Sequence, residues 1–278
     1  MANQSFRDVN TVTIGGTTIL GVQSVRLGDA GELLEFMSDA NAYRQDVGLT
    51  KQVATIELER ISNQKLRDVL SAVFTAVGGA STGTAIMGRV QRVSLQQSGD
   101  VIRDSGDADV WLRYLGLTNI KGQVTVEFRD LAQLQSAPLV KGRKGTLTLK
   151  VPVPRTGFGL PASTATETHT VICMVAGMEK DAEHGGLGSG RVTFEAYGTT
   201  PWTSAGATGG KQLRPIAPGW KGTVGWTAPA ADAAGGEATS VANALLTGLD
   251  VTLAHGEFSR AVYRFEAHSS NGQTAPIT

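Results

Sequence analysis

The sequence lacks the residues on which several common protein classes depend. Cys173 is the single cysteine among 278 residues, so no disulfide can form within the chain. Charged residues make up only 18 % of the total, and the 25 basic residues balance the 25 acidic ones. This balance gives no support for a dedicated nucleic-acid or anionic-membrane binder, and it suits a protein that packs beside copies of itself.

Targeting and membrane signals are also missing. The polar start, Met1 to Asn10, has no apolar region of the kind found in signal peptides. No apolar run approaches the length that a bilayer requires. We therefore expect a protein that has no membrane partner and is made in a cytoplasm.

Catalytic and metal-binding motifs are absent as well. The four histidines are not arranged in any metal-binding spacing, and no nucleophile elbow, P-loop or dinucleotide fingerprint occurs. The glycine-rich segment 185–190 lacks the lysine that follows a phosphate-binding loop, so it is interpreted as a flexible turn. We expect no enzyme activity, no cofactor and no metal.

What the chain does contain is a repeat. The segment Val22–Leu27 (VQSVRL) returns as Val90–Leu95 (VQRVSL), and Gly48–Thr50 returns as Gly116–Thr118, so both matches have the same offset in numbering, 68. A strand pattern with an embedded glutamate, such as Val124–Phe128 (VTVEF), occurs four times.

The four glutamates of this pattern are Glu57, Glu127, Glu195 and Glu266. Their numbers differ by 70, 68 and 71 in turn, and the alternate differences, 138 and 139, match half of 278. Units of about 70 residues bury little surface alone. The spacing thus predicts two tandem domains, 1–145 and 146–278, each holding two similar units.

The secondary-structure pattern predicts a mainly β fold. Short segments rich in Val, Thr and Ile alternate apolar and polar residues and are separated by Gly, Asp, Ser and Pro. The apolar stripe from Leu66 to Val77 predicts one amphipathic helix, which Ser62 or Asn63 could cap and Gly78 could end. A shorter helix is predicted over Thr239–Thr247.

The segment Gly28–Val47 is long for a hairpin loop and strongly acidic. It also carries apolar residues that a solvated loop does not need. One interpretation is a loop that stacks one ring of subunits on the next; the other is a short helix folded onto its own domain. The candidate stacking residues are Glu32, Leu33, Leu34, Glu35, Phe36, Met37 and Asp39.

Together these features resemble the tail tube proteins of long-tailed phages. The resemblance rests on the β-rich domain that occupies half of the chain, the helix, the long acidic loop, the VTVEF-type strand and the opening Val12–Val22 (VTIGGTTILGV). It implies two fused tail-tube-like β-sandwich or half-barrel domains, each with at most one packed helix. It implies trimeric, pseudo-hexameric rings stacked into a tube in the virion tail, assembled in the host cytoplasm. Its implied partners are the tape measure, tail terminator and distal tail proteins.

In such a tube, DNA must slide through without binding. A basic lumen would hold phosphates through counterion release, whereas a neutral or negative one would let the duplex pass. Because Glu57, Glu127, Glu195 and Glu266 alternate with apolar neighbours, they lie on the face away from the core, which is either the lumen or ordinary solvent. We predict them as lumen-facing acids.

Two other functions remain open. A distal tail or baseplate protein of the same fold would make one ring and stop. A carbohydrate-binding β-sandwich of the virion would use tryptophans as stacking platforms for sugars, and Trp111, Trp202, Trp220 and Trp226 are the candidates.

Overall fold

A computed structural model describes residues 4–7, 11–19, 21–36, 46–65, 70–77, 83–129, 139–152, 166–181, 189–206, 216–227 and 238–278. These residues form strands joined by turns. The strands are β1 (Gln4–Arg7), β2 (Thr11–Ile14), β3 (Thr17–Ile19), β4 (Val22–Phe36), β5 (Asp46–Lys65), β6 (Leu70–Ala76), β7 (Thr84–Asp104), β8 (Tyr114–Phe128), β9 (Lys144–Pro152), β10 (Thr166–Asp181), β11 (Ser189–Ala196), β12 (Trp202–Gly206), β13 (Lys221–Thr227), β14 (Ala238–Ala254) and β15 (Phe258–Ala267).

The mainly β prediction is confirmed, and the period of two explains the strands. In β15 the side chains of Tyr263 and Phe265 are buried, whereas those of Arg264 and Glu266 face outward. Such alternation supplies one face for a core and one for solvent. All ladders between the named strands are antiparallel.

Twelve of the strands form two groups of six, and the ladders of the inner group close into a ring. In the inner group the ladders run β7, β8, β11, β10, β9, β6 and back to β7. Phe74 on β6 and Phe194 on β11 lie three strands apart in this ring, yet their ring centroids are 5.3 Å apart. Their contact fills the interior, as in a small barrel.

The outer group repeats this order with β4, β5, β15, β14, β13 and β2. β2 also pairs with β3, which precedes β4 in the chain, and among the described residues no ladder joins β2 or β3 to β4. The outer group comes from both ends of the chain, and the inner group lies between its third and fourth strands in sequence.

The two groups also share their registers. All 13 partner pairs of β4 with β5 reappear in β7 with β8 when 68 is added, from Val22↔Arg60 to Val90↔Phe128. All eight pairs of β14 with β15 reappear in β10 with β11 when 71 is subtracted. Each β-bulge of one group has its counterpart at the same offset in these ladders.

One ladder joins the two groups. Seven residues of β14, Gly248–Ala254, pair with Ser98–Arg92 of β7. The result is a continuous run of eight strands in the order β4, β5, β15, β14, β7, β8, β11, β10. The boundary predicted between residues 145 and 146 falls inside β9, and strands from both sides of it alternate in this run.

The predicted helix from Leu66 to Val77 is wrong where the structure describes it. β5 extends to Lys65, and Leu70–Ala76 form β6, which pairs with β7 on one edge and β9 on the other. Ladder hydrogen bonds on both edges outweigh a helical apolar pattern, because alternate residues of β6 enter the barrel.

The helix predicted over Thr239–Thr247 is wrong as well. These residues belong to β14, and Val241, Ala244 and Leu246 are buried. A bulge between Leu246 and Gly248 shifts the alternation and makes the sequence pattern ambiguous.

Replacing Phe74 with Ala should lower the free energy of unfolding by about 3–5 kcal/mol, because Phe74 is fully buried in the barrel. The matched variant is Val77→Ala. In a helix Val77 would share the apolar stripe with Phe74, but here it is 64 % exposed, so the loss should stay within about 0.5 kcal/mol. Denaturant unfolding measures both, and equal losses would contradict the strand.

Candidate interaction surface

The eight-stranded run exposes one face to solvent, which we call the sheet face. It is built by the residues that alternate with the core positions of these strands. Three of the predicted lumen acids have an outward side chain between two buried neighbours: Glu57 between Ile56 and Leu58, Glu127 between Val126 and Phe128, and Glu266 between Phe265 and Ala267. Glu195 on β11 is exposed next to buried Phe194. The four glutamates therefore share the sheet face.

Glu57 lies between two arginines. Its strand neighbours in register are Arg26 on β4 and Arg264 on β15. A carboxylate oxygen of Glu57 is 3.5 Å from a guanidinium nitrogen of Arg26, and the other is 3.7 Å from Arg264. Arg264 also contacts Asp250 on β14, so an alternating row of charges crosses four strands.

Glu127 repeats the arrangement in the inner group. It is 4.0 Å from Arg92 on β7 and 3.9 Å from Arg191 on β11, and Arg191 is 3.9 Å from Glu179 on β10. The same order of basic and acidic groups thus occurs twice on the sheet face. These pairs are exposed, so each contributes little to stability and their main effect is a balanced local charge.

The other acids of the sheet face differ in their partners. Arg103 donates three hydrogen bonds, 2.6, 2.8 and 3.1 Å long, to the two carboxylate oxygens of Glu266. Glu59 lies 2.7 Å from Arg260. Within the part of the chain that the structure describes, Glu195 makes no ion pair.

A cavity of about 410 Å³ lies on the sheet face above β4, β5 and β15. Its lining includes Arg26, Glu57, Arg264 and Glu266 beside the main chain of Gly28 and Thr55. Two acids and two arginines give the cavity no net charge, so it has no preference for a cation or an anion.

The two ends of the eight-stranded run have open edges. On β4, β1 covers only Ser24–Leu27, and Gly28–Phe36 pair with no second strand among the described residues. On β10, β9 pairs with Thr166–Met174, and Gly177–Asp181 have no second neighbour in the same part of the chain. An uncovered antiparallel edge presents unpaired N–H and C=O groups to another strand.

Most of the candidate stacking segment forms a strand and not the irregular loop that was predicted. Glu32, Leu33, Leu34, Glu35 and Phe36 continue β4 and pair with Thr50–Asp46 of β5. Glu32 forms an ion pair of 2.8 Å with Lys51. Met37 and Asp39 lie outside the described residues, and the stacking role stays a prediction.

The strand registers change which glutamates occupy equivalent positions. When 68 is added to the residue numbers of β5, the counterpart of Glu127 is Glu59, and the counterpart of Glu57 is Thr125. The match of Glu57 with Glu127 in the sequence therefore joined non-equivalent positions on the same face. The arginines of the sheet face were missed, although the alternation of Arg264 with Glu266 in β15 was an available signal.

Other polar groups are explained by packing. Buried His169 on β10 lies 2.9 Å from Glu167, and the indole N–H of Trp202 donates to its Nδ1 at 3.1 Å. The Nδ1 atom of His169 therefore has a hydrogen-bond partner, whereas the short contact of its Nε2 with Glu167 lacks hydrogen-bond geometry. Burial raises the pKa of the Cys173 thiol to about 12, which keeps it protonated and unreactive.

The tryptophans are poorly placed for binding sugars. Trp111, Trp202 and Trp226 are at most 5 % exposed. Trp220 packs edge-on against Phe265. The described residues contain no group of three or more potential metal-ligating side chains.

A scan against protein-family models finds no match. A search of the curated proteins finds none with significant similarity. Among the described residues, no helix has the length and apolar character that would allow it to cross a membrane.

Replacing Glu57 with Lys should place a cation between Arg26 and Arg264 and destabilise the fold by about 0.2–1 kcal/mol, the range of exposed pairs. Adding Arg264→Glu should restore only part of that loss, because it recreates one opposite-charge pair in register but also places a second carboxylate beside Asp250. Urea unfolding of both single variants and the double variant gives the coupling free energy between positions 57 and 264. Strict additivity of the two single changes would contradict the pairing.

Proposed function

We propose that the chain is a structural subunit that joins copies of itself edge to edge into rings, and that stacked rings form the tail tube of a long-tailed phage. The observation that carries this proposal is the ladder between β14 and β7. The eight-stranded run consists of two four-stranded units, β4, β5, β15, β14 and β7, β8, β11, β10. In the β14–β7 ladder, the last strand of the first unit pairs with the first strand of the second. A subunit that joins two units internally in this way can join further units by the same contact.

The shared registers support an internal duplication of a nested kind. The proposed first domain combines residues 11–65 with 216–278, and the proposed second domain, 70–206, is inserted between β5 and β13. Chance agreement of 13 consecutive partner pairs and their two bulges is a poor explanation. This division replaces the tandem halves as our proposal for the domains.

Ring closure follows from the open edges at β4 and β10. A chain-to-chain ladder between them would remove the exposed edges, as closure does in barrels. Three copies of the eight-stranded run would give a barrel of 24 strands, three times eight, with six equivalent units. The sheet face would then line either the inside or the outside of the ring.

The charges of the sheet face favour the inside. Rows in which arginines alternate with Glu57, Asp250, Glu127 and Glu179 carry no strong net charge. A balanced lining neither captures phosphates nor presents an apolar surface. This supports a conduit in the virion tail through which DNA passes during ejection. The partners would then be the tape measure protein inside the tube and the terminator and distal tail proteins at its ends.

Electron microscopy of the purified chain in negative stain tests the assembly. We expect hollow tubes built of stacked rings, whose axial views have sixfold appearance and threefold true symmetry. Single rings that never stack would favour the distal tail protein, and particles that remain single chains under all tested concentrations would contradict self-assembly.

The lumen assignment predicts a specific effect of charge. Glu57→Gln with Glu127→Gln removes one acidic partner from each of four arginines and makes the sheet face more positive, so assembled tubes should retain duplex DNA, and rising salt should release it. The control is Asp104→Asn with Asp107→Asn, which changes the net charge equally near the turn between β7 and β8. Equal retention by both pairs of variants would place the sheet face outside the lumen.

A further inference from the structure

The short strand β1 occupies a position on β4 that has a counterpart on β7. β1 pairs with Leu27–Ser24, and the positions whose numbers are 68 higher, Leu95–Arg92, pair with Val251–Ala254 of β14. Both ladders are antiparallel, both lie on the edge opposite the β4–β5 or β7–β8 ladder, and both cover the same four equivalent positions. β1 therefore stands where the neighbouring unit would stand.

We propose that β1 is a built-in edge cap that β10 of a second copy displaces during assembly. This inference rests on the proposed self-assembly and names the segment that regulates it. The cap prevents premature pairing of the β4 edge, a protection that exposed edges need. Because it consists of only four paired residues, it can be exchanged for a longer ladder.

The uncovered part of the edge gives the second copy its first contact. The ladder of β14 with β7 has seven pairs, and β1 blocks the equivalents of four of them. The remaining three positions are Gly28–Ala30, which lie beyond the four residues that β1 pairs with. Initial pairing there places the incoming strand beside β1, and extension of the ladder then removes β1 residue by residue.

The offsets also fix the register of the new ladder. We subtract 71 from the residue numbers of β14 and 68 from those of β7 to obtain the expected pairs between β10 of one copy and β4 of the next. Gly248↔Ser98 then becomes Gly177↔Ala30, and Asp250↔Gln96 becomes Glu179↔Gly28. Gly177 and Glu179 lie on the uncovered edge of β10 beyond its bulge. A Cβ added at Gly177 meets no atom within 4 Å, so this position tolerates a cysteine.

Locking the cap tests its displacement. Ser5 and Arg26 are partners in register, so Ser5→Cys with Arg26→Cys can form a disulfide that fixes β1 on β4. The oxidised variant should lose assembly, and reduction should restore it. The matched control is Thr125→Cys with Thr193→Cys, whose hydroxyls are 3.4 Å apart on two central strands, and it should assemble in both redox states.

The register is tested by cross-linking between copies. Mixing Ala30→Cys and Gly177→Cys chains should give a disulfide-linked dimer, whereas Ala30→Cys with Glu179→Cys, a slip of two residues, should give far less. Buried Cys173 does not compete in either reaction. Removing residues 1–8 should raise the initial rate of assembly, because no cap has to leave.

The outcomes separate this inference from the proposed function. If the unaltered chain forms no particles, self-assembly itself is refuted. If it assembles, and the oxidised Ser5→Cys/Arg26→Cys variant assembles equally well, the cap is refuted while the tube proposal stands. Cross-linking that prefers the slipped pair would overturn the register.

Discussion

The ladder between β14 and β7 is the contact on which the organisation of the molecule depends. It joins the inner and the outer group of strands through seven residue pairs and turns two sets of four strands into one continuous run. Main-chain hydrogen bonds are indifferent to side-chain identity, so the same joint can recur wherever two equivalent edges meet. This ladder is the reason why we interpret the open edges at β4 and β10 as sites of assembly. It also explains why the position of β1 on β4 matters.

Part of this organisation was readable in the sequence. The VQxVxL and GLT matches share one offset, 68, and the same offset relates the registers of the two ladders in which they lie. The period of two predicted the burial of Phe128 and the exposure of Glu127. The offset could not reveal that the first unit is completed by strands from the far end of the chain, because nonlocal pairing leaves no local signal.

The failures of prediction have physical causes. Leu66–Val77 carries a helical apolar stripe, but Phe74 and its alternate neighbours fill a barrel whose closure requires a strand at that position. Glu57 and Glu127 matched as patterns because the positions two residues apart on a strand share a face and a composition. Only the register distinguishes Glu59 from Glu57 as the counterpart of Glu127. The arginines could be recognised as partners of the glutamates only once the cross-strand neighbours were known.

Under the proposed function, the balance of charges on the sheet face would matter for assembly as well as for the passage of DNA. Had the glutamates been unpartnered, bringing six equivalent units into a ring would concentrate like charges on one surface and oppose closure. Arginines in register with Glu57 and Glu127 remove that repulsion strand by strand, before any ring exists. Because the partners of Glu57 and Glu127 lie within the same chain, the energy of the proposed joint would depend little on how many units are already joined. That independence is what a subunit needs if it is to add identical copies until the ring closes.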